Sequence, residues 1–145
     1  IPKWVSQLLD GETCVIYGDG ETSRDFCYIA NAVQANILGA VAEGSDVAGH
    51  VYNVSVGART TLNDLFFFLR DGLAGFRPEI AARIPEYGPF REGDVRHSLA
   101  AIDKASQRLG YEPTHSLKSG LDEALGWYVA DYERLGRARG EGVKA

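Results

Sequence analysis

Apolar residues along this chain fall into stretches of helical spacing separated by short β-type runs and turn residues. Pro2 to Leu9 is amphipathic, with Pro2 suited to a first helical turn and Gly11 to a stop. Cys14 to Tyr17 reads as a short strand, ended by the turn signal Gly18-Asp19-Gly20. Ile29, Val33, Ile37, Ala40 and Val41 then recur at helical intervals, and Gly44 is placed to close that helix. Val51 to Val54 is a short apolar run that predicts a strand. Thr61-Leu62-Asn63-Asp64 has the form of a capping box, with Asp replacing the usual Glu at the third helical position. The helix it opens carries one apolar stripe: Leu62, Leu65, Phe66, Leu69 and Leu73. Phe67 and Phe68 lie off that stripe, either on a second buried face or at a contact with something outside the chain.

The second half is less regular. Pro78, Pro85 and Pro89 interrupt it, leaving room for a short helix at residues 79–83 and an extended piece near Glu86-Tyr87. Residues 91–98 read as a loop. Asp103 is a plausible N-cap for a helix that Gly110 ends, and Leu117, Leu121, Leu125, Tyr128 and Tyr132 define a last helix. Residues 134–145 are rich in glycine and charge and are expected to form a flexible tail after a folded part spanning residues 1–133. Strands alternating with helices indicate an α/β fold.

Composition narrows the function classes. The 145 residues are 45% hydrophobic and 24% charged, and contain no apolar run long enough to span a membrane. The net charge of -5 gives no global field for nucleic acid, so any bound phosphate must be held by local arginines. Cys14 and Cys27 lack metal-ligand spacing, and the only histidines are His50, His97 and His115, so no zinc site is expected. With no signal-peptide pattern, a reducing cytoplasm is the expected compartment. Lys3, Lys104 and Lys118 have the setting of helix-surface charges.

Candidate chemistry centres on YGDGETSRDFCY, residues 17–28. An arginine just past a Gly-rich turn is well placed to hold a phosphate, because guanidinium and phosphate form bidentate, charge-assisted hydrogen bonds. The other reading of Arg24 is a surface pair with Asp19, Glu21 or Asp25. A second arginine opens REGD at residues 91–94, where the alternative is a solvated loop with an Arg91–Asp94 pair.

IYGDGETSRDFCYI, then VYNVSVG, then REGDVRHS, then the run from Ala101 to Pro113, together resemble the C-terminal half of an extended short-chain dehydrogenase/reductase. Within that superfamily the chain is most similar to the bacterial UDP-N-acetylglucosamine 4-epimerases. The resemblance implies the C-terminal substrate-binding portion of an extended Rossmann-type fold, with some elements belonging to the edge of the Rossmann sheet. It also implies roles at individual positions. Arg91 would contact the diphosphate, Arg24 would be the other diphosphate or a ribose contact, and Asp94 would accept from a ribose hydroxyl. Val15 and Tyr17 would flank the uracil, Ala58 would lie near the uridine, and Ser98 would leave room for an N-acetyl group.

The chain has no methionine, no G-x-G-x-x-G or G-x-x-G-x-x-G, and no Y-x-x-x-K. The family carries those motifs in its N-terminal half, so the chain is read as a fragment with no catalytic residue of its own and no activity alone. NAD would be bound by that other half. By resemblance, the parent enzyme oxidises C4 of a UDP-sugar with bound NAD, lets the keto sugar rotate and reduces it on the other face. Its partners would be the UDP-sugar, the N-terminal half and a second copy in a homodimer, with no nucleic acid and no membrane. The rivals are a UDP-hexuronate 4-epimerase or a dehydratase of the same superfamily, and a stand-alone nucleotide-sugar-binding module.

Overall fold

The structure, a computed structural model, describes residues 1–44 and 46–140, with the side chains of residues 137–140 excepted. Three helices build the main core. α1 (Pro2–Asp10) turns in Val5, Leu8 and Leu9 and ends at Gly11, whose left-handed conformation (φ 74°) needs no side chain. α3 (Leu62–Ala74) buries Leu65, Phe66, Leu69 and Leu73, and α5 (Leu117–Gly140) contributes Leu121, Leu125 and Val129. Trp4 of α1 meets Phe66 edge to face, with centroids 6.2 Å apart. The capping box holds: Asp64 N–H donates to Thr61 Oγ1 at 3.0 Å, and Thr61 N–H donates to Asp64 Oδ2 at 3.4 Å. Of the two off-stripe phenylalanines, Phe68 packs against the main core, whereas Phe67 stays at the surface under the Arg70 guanidinium.

Two small sheets lie on this scaffold. β1 (Val15–Tyr17) runs parallel to β4 (Glu86–Gly88), pairing Val15 with Glu86 and Tyr17 with Gly88. Ile16, from the opposite face of β1, is fully buried in the core. β2 (Ser23–Arg24) pairs antiparallel with β3 (Thr60–Thr61). A 3₁₀ turn at Pro78–Ala82 caps the core with Ile80.

α2 (Ile29–Val41) and α4 (Asp103–Leu109) frame a second, smaller core of Ala35, Ala105 and Tyr111, joined by Leu38, Tyr52, Val54, Ile102 and Leu109. Asn31 is fully buried here. Its Oδ1 accepts from the Thr114 and His115 N–H groups, and its Nδ2 donates to the His115 carbonyl at 2.8 Å. The apolar positions of α2 point the other way: Ile29, Val33, Ile37 and Val41 are 66, 48, 58 and 66% exposed.

Four expectations meet a different structure. Val51 to Val54 is not a strand: it pairs with no strand among the described residues, and Val51 is 85% exposed. A single apolar run has no regular structure until a neighbour supplies the ladder. α2 ends at Val41 with Ala42 already extended, so Gly44 lies beyond its stop. The N-cap of α4 is Ile102, with no side-chain cap, and Asp103 is the first helical residue. α5 runs through Gly140, beyond the Arg134 at which the tail was expected to begin, and residues 141–145 lie outside the described residues.

Candidate functional site

The Gly18-Asp19-Gly20 turn separates β1 from β2 and fixes where the candidate residues stand. Gly18 takes φ 83°, and a Cβ there would lie 2.5 Å from Phe90 Cε1, so glycine lets the 90s loop pack against the turn. Val15 and Tyr17, two apart on β1, share the face that meets Gly88. Arg91 lies over the Tyr17 ring with its guanidinium carbon 3.8 Å from the centroid, a close cation–π stack. Among the described residues Arg91 has no carboxylate partner.

Arg24 projects from β2 and is half-buried. Its Nη1 donates to the Ser23 carbonyl at 2.9 Å and its Nη2 to Asp94 Oδ1 at 2.5 Å. Asp94 therefore pairs with Arg24 of β2, and neither arginine takes the local partner that its sequence neighbours offered. Asp94 N–H in turn donates to the Arg91 carbonyl at 3.3 Å, which keeps the three groups on one loop surface.

Ser98 is tied to the same strand by its main chain, its N–H donating to the Ser23 carbonyl at 3.1 Å, and its side chain is exposed. Ala58 is also exposed, but its loop is anchored elsewhere. The preceding Gly57 N–H donates to Asp25 Oδ2 at 3.0 Å, an oxygen that also accepts from Ala100 N–H at 3.2 Å. The structure thus brings together Val15, Tyr17, Arg24, Arg91 and Asp94, with Ser98 tied to β2 through its main chain and Ala58 on a separate anchor.

Sequence reasoning missed three organising groups. Asp25 ties three loops through Val56, Gly57 and Ala100 N–H groups. Arg96 forms a bidentate pair with Asp19 at 2.7 and 2.6 Å. That guanidinium, with the Glu21 N–H, holds the Asp19 carboxyl down to about 2. Asn63, from the first turn of α3, bridges the Asp19 carbonyl and the Glu21 carboxylate, and accepts from Tyr87 Oη–H at 2.9 Å. The only signal for these in the sequence is a charged or amide side chain beside a turn.

Other chemistry is excluded on geometry. Lys118 pairs with Asp122 one turn on, and Lys104 Nζ donates to the Val51 carbonyl while lying over Tyr52. Burial pushes the Cys14 thiol up to about 11, leaving it protonated at neutral pH. Among the described residues no three His, Cys, Asp or Glu side chains gather as a metal site, and no helix is long and apolar enough to cross a membrane. The glycine pair of the turn does not fit a dinucleotide. Cβ directions at Gly18 and Gly20 are filled by Phe90 and Asn63, and a strand follows the turn where a phosphate cradle needs a helix N-terminus.

The fold matches solved enzymes. It superposes with TM-score 0.76 on UDP-glucose 4-epimerase of Thermotoga maritima, solved with UDP-glucose, at 34% identity over 89% of this chain and 38% of that one. It superposes with TM-score 0.77 on UDP-N-acetylglucosamine 4-epimerase of Methanobrevibacter ruminantium, solved with UDP-N-acetylmuramic acid, at 35% identity over 90% and 39%. A dTDP-glucose 4,6-dehydratase of an Actinoplanes species is 31% identical over 131 residues, 90% of this chain and 38% of its own length. The architecture is therefore that of the C-terminal portion of nucleotide-sugar epimerases and dehydratases. Residues 1–55 match the model of the NAD dependent epimerase/dehydratase family, and nearly nine-tenths of the chain is similar in sequence and fold to nucleotide-sugar epimerases. It spans well under half the length of these relatives.

Proposed function

We propose that this chain holds the nucleotide-sugar of an NAD-dependent enzyme that interconverts UDP-N-acetylglucosamine and UDP-N-acetylgalactosamine. The observation that carries the reading is the convergence of Arg24, Arg91 and Asp94 beside Tyr17 on one exposed loop surface. A diphosphate entering there meets an arginine with no carboxylate partner and displaces Asp94 from the other. Each charge-assisted hydrogen bond it gains is worth about 1.5–3 kcal/mol. Asp94, released from Arg24, is an acceptor in reach of a ribose hydroxyl. Arg91 covers one face of Tyr17, so a uracil at β1 packs on Val15 and the edge of the tyrosine, or takes the place of the guanidinium. The residues of this chain bind and orient. NAD, held by the portion of the enzyme that relatives carry and this chain lacks, supplies the hydride chemistry at C4.

That other portion is the partner we assign to the bare face of α2 and to the Val51–Val54 run. An uncharged helix with four exposed aliphatic residues in one stripe, beside a strand-like run lacking a ladder, has the chemistry of an unfilled sheet edge. Both cysteines are free thiols, in keeping with a reducing cytoplasm. We keep residues 1–133 as the nucleotide-sugar portion, with the charged segment 134–145 starting within the last turns of α5.

The experiment is an epimerisation assay on the protein together with its dinucleotide-binding portion. UDP-N-acetylglucosamine should be converted to its C4 epimer, and Ser98→Tyr should cut that turnover sharply while sparing UDP-glucose, because a phenol ring overfills the N-acetyl space. Equal loss on both sugars, or no loss on either, removes the N-acetyl assignment. The dehydratase reading is favoured by the 31% identity to a dTDP-glucose 4,6-dehydratase, and loss of water from a dTDP-hexose in the same assay would establish it.

A further inference from the structure

We propose that Arg96 is a positioning residue for the diphosphate grip: paired with Asp19, it clamps the 90–98 loop so that Arg91 stands over Tyr17 and Asp94 faces Arg24. The role rests on the nucleotide-diphosphate reading above.

The loop needs a clamp. Residues 91–98 are all exposed and contribute nothing to either apolar core, so burial does not fix their path. Arg96 holds them in three ways. Its guanidinium makes both hydrogen bonds to Asp19, at 2.7 and 2.6 Å. It lies 5.3 Å from the centroid of Phe90, whose ring fills the space over Gly18. Its main-chain carbonyl accepts from Ser23 N–H at 2.9 Å, next to the Ser98 N–H bond to the Ser23 carbonyl.

An isolated surface ion pair is worth little. This one differs in geometry and in what its acidic partner is fastened to. Asp19 Oδ1 also accepts from Glu21 N–H at 2.9 Å, and the Asp19 carbonyl accepts from Asn63 Nδ2 at 3.2 Å, tying the turn to the first turn of α3. Asn63 is held from the other side by Tyr87 Oη of β4. A path of hydrogen bonds therefore runs from two packed elements through Asp19 to Arg96. Asp94 lies two residues away from that anchor and Arg91 five.

A direct role for Arg96 is the competing assignment, since a third guanidinium on the same loop as Arg91 could itself take a phosphate. The two make opposite predictions for Asp19. If Arg96 touches the anion, removing Asp19 frees it and UDP binds as well or better. If Arg96 positions the loop, removing Asp19 harms binding as removing Arg96 does.

The test uses the protein together with its dinucleotide-binding portion, with UDP titrated by calorimetry into the wild type, Asp19→Ala, Arg96→Ala and the charge-exchanged double variant Asp19→Arg/Arg96→Asp. Amide exchange across residues 90–98 is followed without ligand. Both single variants should lose affinity by a similar factor, about tenfold, and exchange faster across the loop, and the exchanged pair should recover part of both. In an Arg91→Ala background, Arg96→Ala should add less than it costs alone, because the two act as one unit. Tighter or unchanged UDP binding by Asp19→Ala, with loss in Arg96→Ala, assigns Arg96 to the anion directly and overturns the positioning role. Wild-type affinity and wild-type exchange in both variants also overturn it. A wild-type protein that binds no UDP overturns the nucleotide reading, and the role with it, whereas Arg24→Ala and Arg91→Ala losses without Asp19 or Arg96 losses overturn the clamp alone.

Discussion

α2 and α3 are both thirteen residues long and rich in aliphatic side chains, yet they use them in opposite ways. α3 turns Leu65, Phe66, Leu69 and Leu73 into a core shared with α1 and α5, and its start is fixed by a two-way capping box. α2 buries only Asn31 and Ala35 and leaves Ile29, Val33, Ile37 and Val41 facing outward. One helix completes its apolar face against the core; the other leaves its aliphatic stripe uncovered among the described residues. On the proposed reading, the first belongs to the part that folds around itself and the second to the part that meets the dinucleotide-binding portion.

The largest test of that comparison is in the core. Leu69, with no exposed surface, should lose about 2–5 kcal/mol of stability on Leu69→Ala, from lost burial and the cavity left behind. Ile37→Ser in the chain alone should change stability by no more than about 0.5 kcal/mol, because its side chain is already in water. Urea denaturation of the two variants reads both numbers, and a comparable loss at Ile37 would break the distinction.

A second test adds the dinucleotide-binding portion. Val33→Asp should weaken its association with this chain by about 1.5–3 kcal/mol or more, the scale of burying one aliphatic side chain, with a charge now stranded at the contact. Wild-type association by ultracentrifugation would mean that α2 faces something else.

The smallest effect is set by acid. Asp19 has its carboxyl held down to about 2 by Arg96 and the Glu21 N–H, below its ordinary range near 4. A carboxylate lowered in this way contributes stability that is fully present above its unfolded pKa and lost as pH falls from about 4 to 2. Asp19→Asn should therefore lower neutral-pH stability slightly, since the pair is largely exposed, and flatten the acid limb by that same small amount, so that the variant and the wild type converge below about pH 2. An acid limb identical to the wild type would show that the pair does not form in solution.

Local chemistry made much of the fold legible. The capping box, the Gly11 and Gly110 stops and the stripes of α3 and α5 are written in residues a few positions apart, and the structure reproduces them. The Val51–Val54 run failed because a strand is a property of two segments, and no second segment pairs with it among the described residues. At the site, the motifs brought Arg24, Arg91 and Asp94 to notice, but not their pairing. Arg24 reaches a partner 70 residues away and Arg96 one 77 away, distances at which spacing carries no signal. Asn31 was hidden in the same way, as a polar residue inside an apolar helix whose hydrogen-bond partners at 114 and 115 come from the far end of the chain.

On the proposed reading, Arg24 and Arg91 together grip a nucleotide diphosphate. Calorimetric titration of UDP into Arg24→Ala and Arg91→Ala, each in the protein carrying its dinucleotide-binding portion, tests it most directly. Each variant should lose about 2–5 kcal/mol of UDP binding, as expected when one partner of a charged contact is truncated, while NAD content stays at the wild-type level. Wild-type UDP affinity in both variants would contradict it.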